Sequence, residues 1–169
     1  IGVVYKPANS GHIFAETQEA ARKLGLEIVG AKIDLKQDIP RATRGLRGNI
    51  DLLWMVRDPI LLEPDALREL LKFSLIEKLP LLTFSATVVR AGAMMAVTPE
   101  EHGMGRQAAR IGKQILAGKR PGQIPVQGPT DHRIALNLAT AKRIGRLEDL
   151  AINVLIFAAE NKQSIEVFR

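Results

Sequence analysis

The sequence predicts an α/β fold in which a parallel, Rossmann-like sheet carries helices on both faces. Short β-branched runs alternate along the chain with longer stretches of helical period, which is the pattern of strands joined by crossover helices. The 169 residues are 46% hydrophobic and 25% charged, enough to build one full core. The chain has no cysteine, which excludes disulfide scaffolds, zinc–thiolate sites and cysteine nucleophiles.

Six strands are predicted from short apolar runs bounded by turn residues. In chain order they cover residues 1–5, 26–33, 51–56, 79–84, 93–97 and 133–138. The tail is ambiguous, because residues 153–159 fit either a buried strand or the end of a helix that starts near Glu148.

Helices between these strands are predicted from apolar residues at three- and four-residue spacing. The first runs to about Leu24 and stops at Gly25, and the second has Asp38 as a candidate cap with Pro40 near its first turn. The third begins at Pro64. Its apolar stripe consists of Leu67, Leu70, Leu71 and Leu75.

The clearest predicted helix start follows the fifth strand. Thr98 is its candidate cap, Pro99 would occupy the first helical position, and Glu101 stands three residues after the cap. The apolar face of this helix consists of Met104, Ala108, Ile111 and Ile115, and the helix runs to Gly118. A connector of residues 119–131, rich in proline and glycine, and a short helix over residues 139–144 complete the chain before the tail.

Ligands of open parallel sheets bind beyond the carboxyl ends of the strands, which directs attention to the loops there. Asn9 and Ser10 lie where the first helix begins, so they either cap it or receive a ligand carboxylate. Asp58 follows the third strand, as a turn-forming aspartate or as a ligand group. Ser85 follows the fourth strand without the flanking glycines of a nucleophile elbow, which argues against a serine hydrolase.

The motifs of the sequence and the pattern of its charges disfavour metal, nucleotide and nucleic-acid binding. No pair of histidines has metal-ligand spacing, and neither a dinucleotide fingerprint nor a Gly-Lys-Ser/Thr phosphate loop occurs. The net charge is +6, but the basic clusters have no interleaved aromatic residues, which argues against nucleic acid. We therefore expect no enzyme activity, no cofactor, no metal and no nucleic-acid partner.

Eight short motifs occur in order along residues 1–145. They are IGVVYKPANS at residue 1, ARKLGLE at 21, DLLW at 51, LPLLTF at 79, VRAGA at 89, MGRQA at 104, IPV at 124 and LNLATAK at 136. As an ordered set they resemble the second half of the ABC-transporter substrate-binding proteins of the tryptophan/tyrosine type, which have a type I periplasmic-binding-protein fold.

The resemblance implies one lobe of a clamshell that closes around a small, amino acid-like solute and delivers it to the membrane permease of an importer. Residues 1–145 would form the second lobe, and the first lobe would precede Ile1. Residues 146–169 are an uncertain tail, a swapped strand or a helix, because residues 154–160 look like the opening strand of a first lobe. The resemblance also implies a periplasmic or membrane-anchored extracytoplasmic location.

The family's cleft positions, carried over to this sequence, are Asn9, Ser10, Asp58, Ser85 and Thr87. The resemblance implies hydroxyl and amide donors to a carboxylate, with Asp58 as the acceptor from a ligand amine. Arg57 stands where many relatives carry a small or neutral residue. No aromatic residue for stacking is expected in these loops, so an aromatic amino acid is not favoured.

The resemblance bears on assembly as well. In the family fold, the helix with the Met104, Ala108, Ile111 and Ile115 face packs on the first lobe, so this face is expected to lack a partner and to favour a homodimer. Two alternatives to a transport role stay open, a small-molecule sensor domain of a signalling protein and a flavodoxin-like nucleotide binder.

Overall fold

A single seven-stranded sheet organises the chain in the computed structural model, which describes residues 1–169. The strands are β1 (Gly2–Tyr5), β2 (Val29–Lys32), β3 (Leu53–Met55), β4 (Leu81–Thr83), β5 (Met95–Pro99), β6 (His132–Asn137) and β7 (Ser164–Phe168). Their order is β2-β1-β3-β4-β5-β6-β7. Strands β1 to β5 are parallel, β6 is antiparallel to β5, and β7 is parallel to β6. The carboxyl ends of β1 to β5 therefore share one edge of the sheet, named here the carboxyl edge.

Helices follow most of the strands. They are α1 (Pro7–Lys23), α2 (Ile39–Leu46), α3 (Pro64–Ile76), α4 (Ala86–Arg90), α5 (Glu101–Leu116), α6 (Leu138–Arg143) and α7 (Ile152–Glu160). A π-helical turn, Leu147–Ala151, leads into α7. The predicted α/β class, all six predicted strands and the longer predicted helices are confirmed. The short helix α4 and the last strand β7 were not predicted.

The helices lie on both faces of the sheet, as the contacts of Tyr5 and Gly2 demonstrate. The ring of Tyr5 stacks on Phe14 of α1, with ring centroids 4.2 Å apart. A Cβ atom on Gly2 would lie 2.5 Å from Ile50 and 3.1 Å from Leu46 of α2. Because residues 2 and 5 of a strand point to opposite faces, α1 and α2 must cover opposite sides.

The core extends from the first strands to the tail as two apolar clusters. Leu53, Met55 and Leu81 are almost completely buried in the larger of two apolar clusters, on the face that α2 and α3 cover. The smaller cluster joins β5 and β6 to the tail, where Ala151 is fully buried. Residues 146–169 thus complete the same sheet, with β7 paired along β6.

In the tail, the segment that fitted either a strand or a helix forms a helix. Residues 154–160 lie within α7, so the likeness of this segment to an opening strand is wrong as a structural prediction. Ala151 and Ala158 are the buried positions of this region, and their spacing of two helical turns explains why a helix forms there.

Two predicted helix caps are also wrong. Residues Thr98 and Pro99 belong to β5, because the pairing with β6 continues to His132. The N-cap of α5 is instead Glu100, whose carboxylate accepts from the amides of His102 and Gly103 at 3.2 and 2.5 Å.

The carboxylate of Asp38 likewise does not cap α2. It accepts from the backbone amides of Asp34 and Leu35, and so closes the preceding turn. Pro40 does lie in the first turn of α2, as predicted.

Candidate functional site

A buried carboxylate joins the ends of β1 and β3 at the carboxyl edge. Asp58 has no exposed surface. Its Oδ1 atom accepts from Asn9 Nδ2 at 3.0 Å and from the amide of Ile60 at 3.1 Å. Its Oδ2 atom accepts from the amide of Lys6 at 3.0 Å and from the hydroxyl of Ser10. One carboxylate therefore fixes the loop after β3 to the first turn of α1.

These four hydrogen bonds determine the charge of Asp58. Burial raises the pKa of this carboxyl, but the donors Ser10 and Asn9 and the amides of Lys6 and Ile60 outweigh burial and hold the pKa below its ordinary value. A carboxylate offers about four lone-pair positions, and all four are taken. Asp58 is thus an ionised group whose hydrogen-bonding capacity is used within the chain.

Asn9 and Ser10 occupy the first turn of α1 rather than a loop, because the helix already begins at Pro7. Neither caps the helix, since the N-cap is Lys6 and has no side-chain cap bond. Ser10 is completely buried, whereas Asn9 is exposed. Of this pair, only Asn9 has surface that a solute could contact in this structure.

The hydroxyl groups of Ser85 and Thr87 follow the neighbouring strand β4. Ser85 is half-buried at the N-cap of α4, where its side chain makes no cap bond, and Thr87 is exposed in the first turn of that helix. Strands β1, β3 and β4 are consecutive in the sheet. The fold therefore brings the predicted residues Asn9, Asp58, Ser85 and Thr87 to one edge.

An arginine and a phenylalanine bridge the ends of β3 and β4, and sequence patterns do not reveal this pair. The guanidinium carbon of Arg57 lies 4.9 Å from the centre of the Phe84 ring, a cation–π contact. Strand β4 ends at Thr83, so Phe84, which the sequence predicted to lie in the strand, lies beyond it. The ring nonetheless already has Arg57 over it.

A second polar cluster, missed from the sequence, lies beyond β5. Arg106 contacts Asp131 at 2.9 Å and Glu100 at 3.6 Å, beside a polar cavity of about 280 Å³. The hydrogen bond from Arg106 lowers the pKa of Asp131, and the amide of Gly103 lowers that of Glu100. Because Arg106 pairs with both carboxylates, the cluster joins α5 to the segment before β6.

Comparisons with known proteins bear on the fold and the family. The profile of a family described as ABC transporter substrate binding protein matches residues 1–161. A curated relative, the Tyrosine-binding protein of Clostridioides difficile (strain R20291), is 26% identical over 167 residues, which are 97% of this chain and 48% of the relative. The chain thus spans about half the length of the curated relative it matches.

Solved structures show the same fold. The ligand-free, open structure of a substrate binding protein with adhesive properties from Clostridium difficile matches with a TM-score of 0.77 at 20% identity, over 99% of this chain and 54% of that one. An ABC domain in complex with L-Trp from Streptococcus pneumonia matches with a TM-score of 0.68 at 19% identity, over 99% and 54%. In the present chain, no helix is both long and apolar enough to cross a membrane.

Proposed function

We propose that this chain, which belongs to the ABC transporter substrate binding protein family, binds a small, amino acid-like solute. The solute would lie at the carboxyl edge of β1, β3 and β4. Proteins of this family bind substrates and are not enzymes. The observation that carries the proposal is the buried Asp58 network, which holds the ends of β1 and β3 in a fixed arrangement. Such preorganisation reduces the entropic cost of binding.

The five expected site residues divide into two roles under this proposal. Asn9, Ser85 and Thr87 have exposed or half-exposed polar groups and contact the solute. Asp58 and Ser10 are buried, so they position Asn9 and the loop after β3 instead of touching the solute. This replaces the expected role of Asp58 as the acceptor from a ligand amine.

The chain acts as one lobe of a two-lobed binder in an ABC importer. Residues 1–145 form the lobe and residues 146–169 complete its sheet. The half-length match to the Tyrosine-binding protein supports a second lobe elsewhere in the whole protein. Closure of the two lobes on a solute would then present it to a membrane permease outside the cytoplasm, because the solute stabilises the closed state by contacting both lobes.

An unpartnered face on α5 supports a second contact, with another copy of this chain or with the other lobe. Gly103 and Gln107 are the buried residues of this helix, while Met104 and Ile115 are about two-fifths exposed. Exposed apolar side chains at helical spacing favour association. We propose a homodimer through Met104, Ala108, Ile111 and Ile115 when the chain is isolated.

Isothermal titration calorimetry with the common amino acids, flavin mononucleotide and adenosine monophosphate tests the proposed function. We expect binding of at least one amino acid or related acid, weakened about tenfold or more by the double variant Ser85→Ala with Thr87→Ala, since each lost hydrogen bond contributes roughly 0.5–1.5 kcal/mol. Ser164→Ala, an exposed hydroxyl at the start of β7, is the control and should bind like the unchanged chain. Tight retention of flavin or nucleotide without any response to amino acids would contradict the proposal.

A further inference from the structure

We infer that this site selects solutes in which no ammonium group balances the charge of a carboxylate. Arg57, positioned by its cation–π contact with the ring of Phe84, binds this carboxylate. The inference rests on the proposed function and narrows it from amino acid-like solutes to small organic acids of net negative charge. It assigns a specificity-determining role to Arg57 and a positioning role to Phe84.

The geometry of Arg57 suits a carboxylate. The residue is exposed directly after β3, and its guanidinium carbon is 4.9 Å from the Phe84 ring centre. The N–H groups of a guanidinium lie in one plane and can bind both oxygens of a carboxylate. Arg57 takes part in none of the ion pairs of the chain, so its charge is not neutralised by a neighbouring side chain.

The loops after β1, β3 and β4 have no free carboxylate for an ammonium group. Asp58 is buried and accepts four hydrogen bonds from its own chain. Glu63, in the loop before α3, pairs with Lys36 at 2.8 Å, and Glu100 beyond β5 pairs with Arg106. Asp34 is exposed after β2 at the same carboxyl edge, with β1 between β2 and the neighbouring strands β3 and β4. An ammonium group held against these three loops would therefore lose water without gaining a charged partner from them.

Lys6 adds a second positive charge at the carboxyl edge. It directly follows β1, its backbone amide binds Asp58, and its side chain takes part in none of the ion pairs of the chain. The uncompensated charges after β1 and β3 are thus both positive. A solute of net negative charge is attracted to this edge, most strongly at low ionic strength.

Calorimetry with matched probes tests the inference on the chain of residues 1–169. One set is L-tyrosine, hydroxyphenylpropionate (which lacks the ammonium) and tyramine (which lacks the carboxylate); the second is L-leucine, isocaproate and isoamylamine. We expect the acid without the ammonium to bind tightest in a set and the amine not to bind. Arg57→Gln should weaken binding of the acid by about 10- to 100-fold, the loss typical of a charge-assisted pair. The matched control is Arg22→Gln at the far end of α1, which removes the same charge and should leave the affinity unchanged.

The role of Phe84 has its own readout. Phe84→Leu should weaken binding of the acid several-fold and shift the NMR resonance of the Arg57 Nε–H group in the free protein, because the cation–π contact is lost. Phe84→Tyr keeps an aromatic ring and should restore both properties. If Phe84 had only a structural role, its substitution would lower the stability, but the affinity and the Arg57 Nε–H resonance would not depend on the presence of an aromatic ring.

The outcomes separate failure of the inference from failure of the proposed function. If an amino acid binds as tightly as its deaminated partner and Arg57→Gln leaves its affinity unchanged, the inference is wrong while the binding function stands. If no probe binds and the amide resonances of Asn9, Ser85 and Thr87 do not move, the proposed function is wrong and the inference falls with it.

Discussion

At the scale of single residues, Asp58 determines how the candidate site is built. The sequence allowed two interpretations of this residue, a turn former or a ligand group, and both concern local surroundings. The decisive contacts come from Asn9 and Ser10, which are distant in the sequence and meet Asp58 because β1 and β3 are neighbours. Sequence reasoning thus singled out these residues as candidates but could not show the bonds between them or their burial.

Replacing Asp58 by asparagine should destabilise the protein by about 2–3 kcal/mol at neutral pH. The amide nitrogen of an asparagine would face donors such as the hydroxyl of Ser10 or the amide of Lys6, and the charge that strengthens these hydrogen bonds would be lost. Urea unfolding measures this loss. Asp51→Asn, an exposed aspartate before β3, is the control and should change the free energy of unfolding little.

The contribution of Asp58 to stability should also depend on pH. Because the folded chain holds the pKa of Asp58 below its ordinary value of 3.8, the stabilisation is complete above that value and is lost as the pH falls through it toward the folded pKa. The difference in unfolding free energy between the unchanged chain and Asp58→Asn should therefore shrink in acid. A difference that stays constant down to about pH 2–3 would mean that Asp58 makes no charge-dependent contribution.

At the scale of elements, α5 is attached to the rest of the fold through its first two turns, where Gly103 and Gln107 are buried and Gln107 bonds to Gly128 and Thr130. The sequence predicted the helix and its apolar face but placed the cap at Thr98, because the pairing of β5 with β6 cannot be seen in local patterns. In the structure, Glu100 caps the helix and Gly103 lies against Asp131. A Cβ atom on Gly103 would lie 2.5 Å from Asp131 Oδ2 and 2.6 Å from its Cβ atom.

Gly103→Ala should therefore lower the stability by about 1–3 kcal/mol, the usual cost of overpacking. The added methyl group would push Asp131 away and strain its contact with Arg106. Gly105→Ala in the same helix is a matched control, because no heavy atom lies within 4 Å of its added Cβ. That control should be neutral or stabilising by up to about 1 kcal/mol, since alanine favours helix. Equal melting temperatures for the two variants would contradict this account of how α5 is attached.

At the scale of the whole molecule, the alternation of strands and helices was enough to predict the α/β class and a largely parallel sheet. The reversal of β6 and the addition of β7 were not predictable, because both depend on pairing between segments that the connector and α7 separate. The apolar run in the tail fits a strand by composition, and the burial of Ala151 and Ala158 against the sheet favours the helix.

Self-association is the prediction that belongs to this scale. Analytical ultracentrifugation should find a concentration-dependent dimer of the isolated chain, and Met104→Lys with Ile115→Lys should shift it to a monomer without a change in melting temperature, because both residues are partly exposed. A chain that stays monomeric at high concentration would show that the α5 face does not pair with a second copy.

Chemical-shift mapping of the amides during titration with a bound solute tests the central claim most directly. If the carboxyl edge of β1, β3 and β4 is the binding site, the largest shifts will occur at Asn9, Arg57, Ser85 and Thr87, and the amides of α5 and β7 will change little. Shifts centred on the Arg106 and Asp131 cluster, or no shifts at the carboxyl edge, would contradict the account.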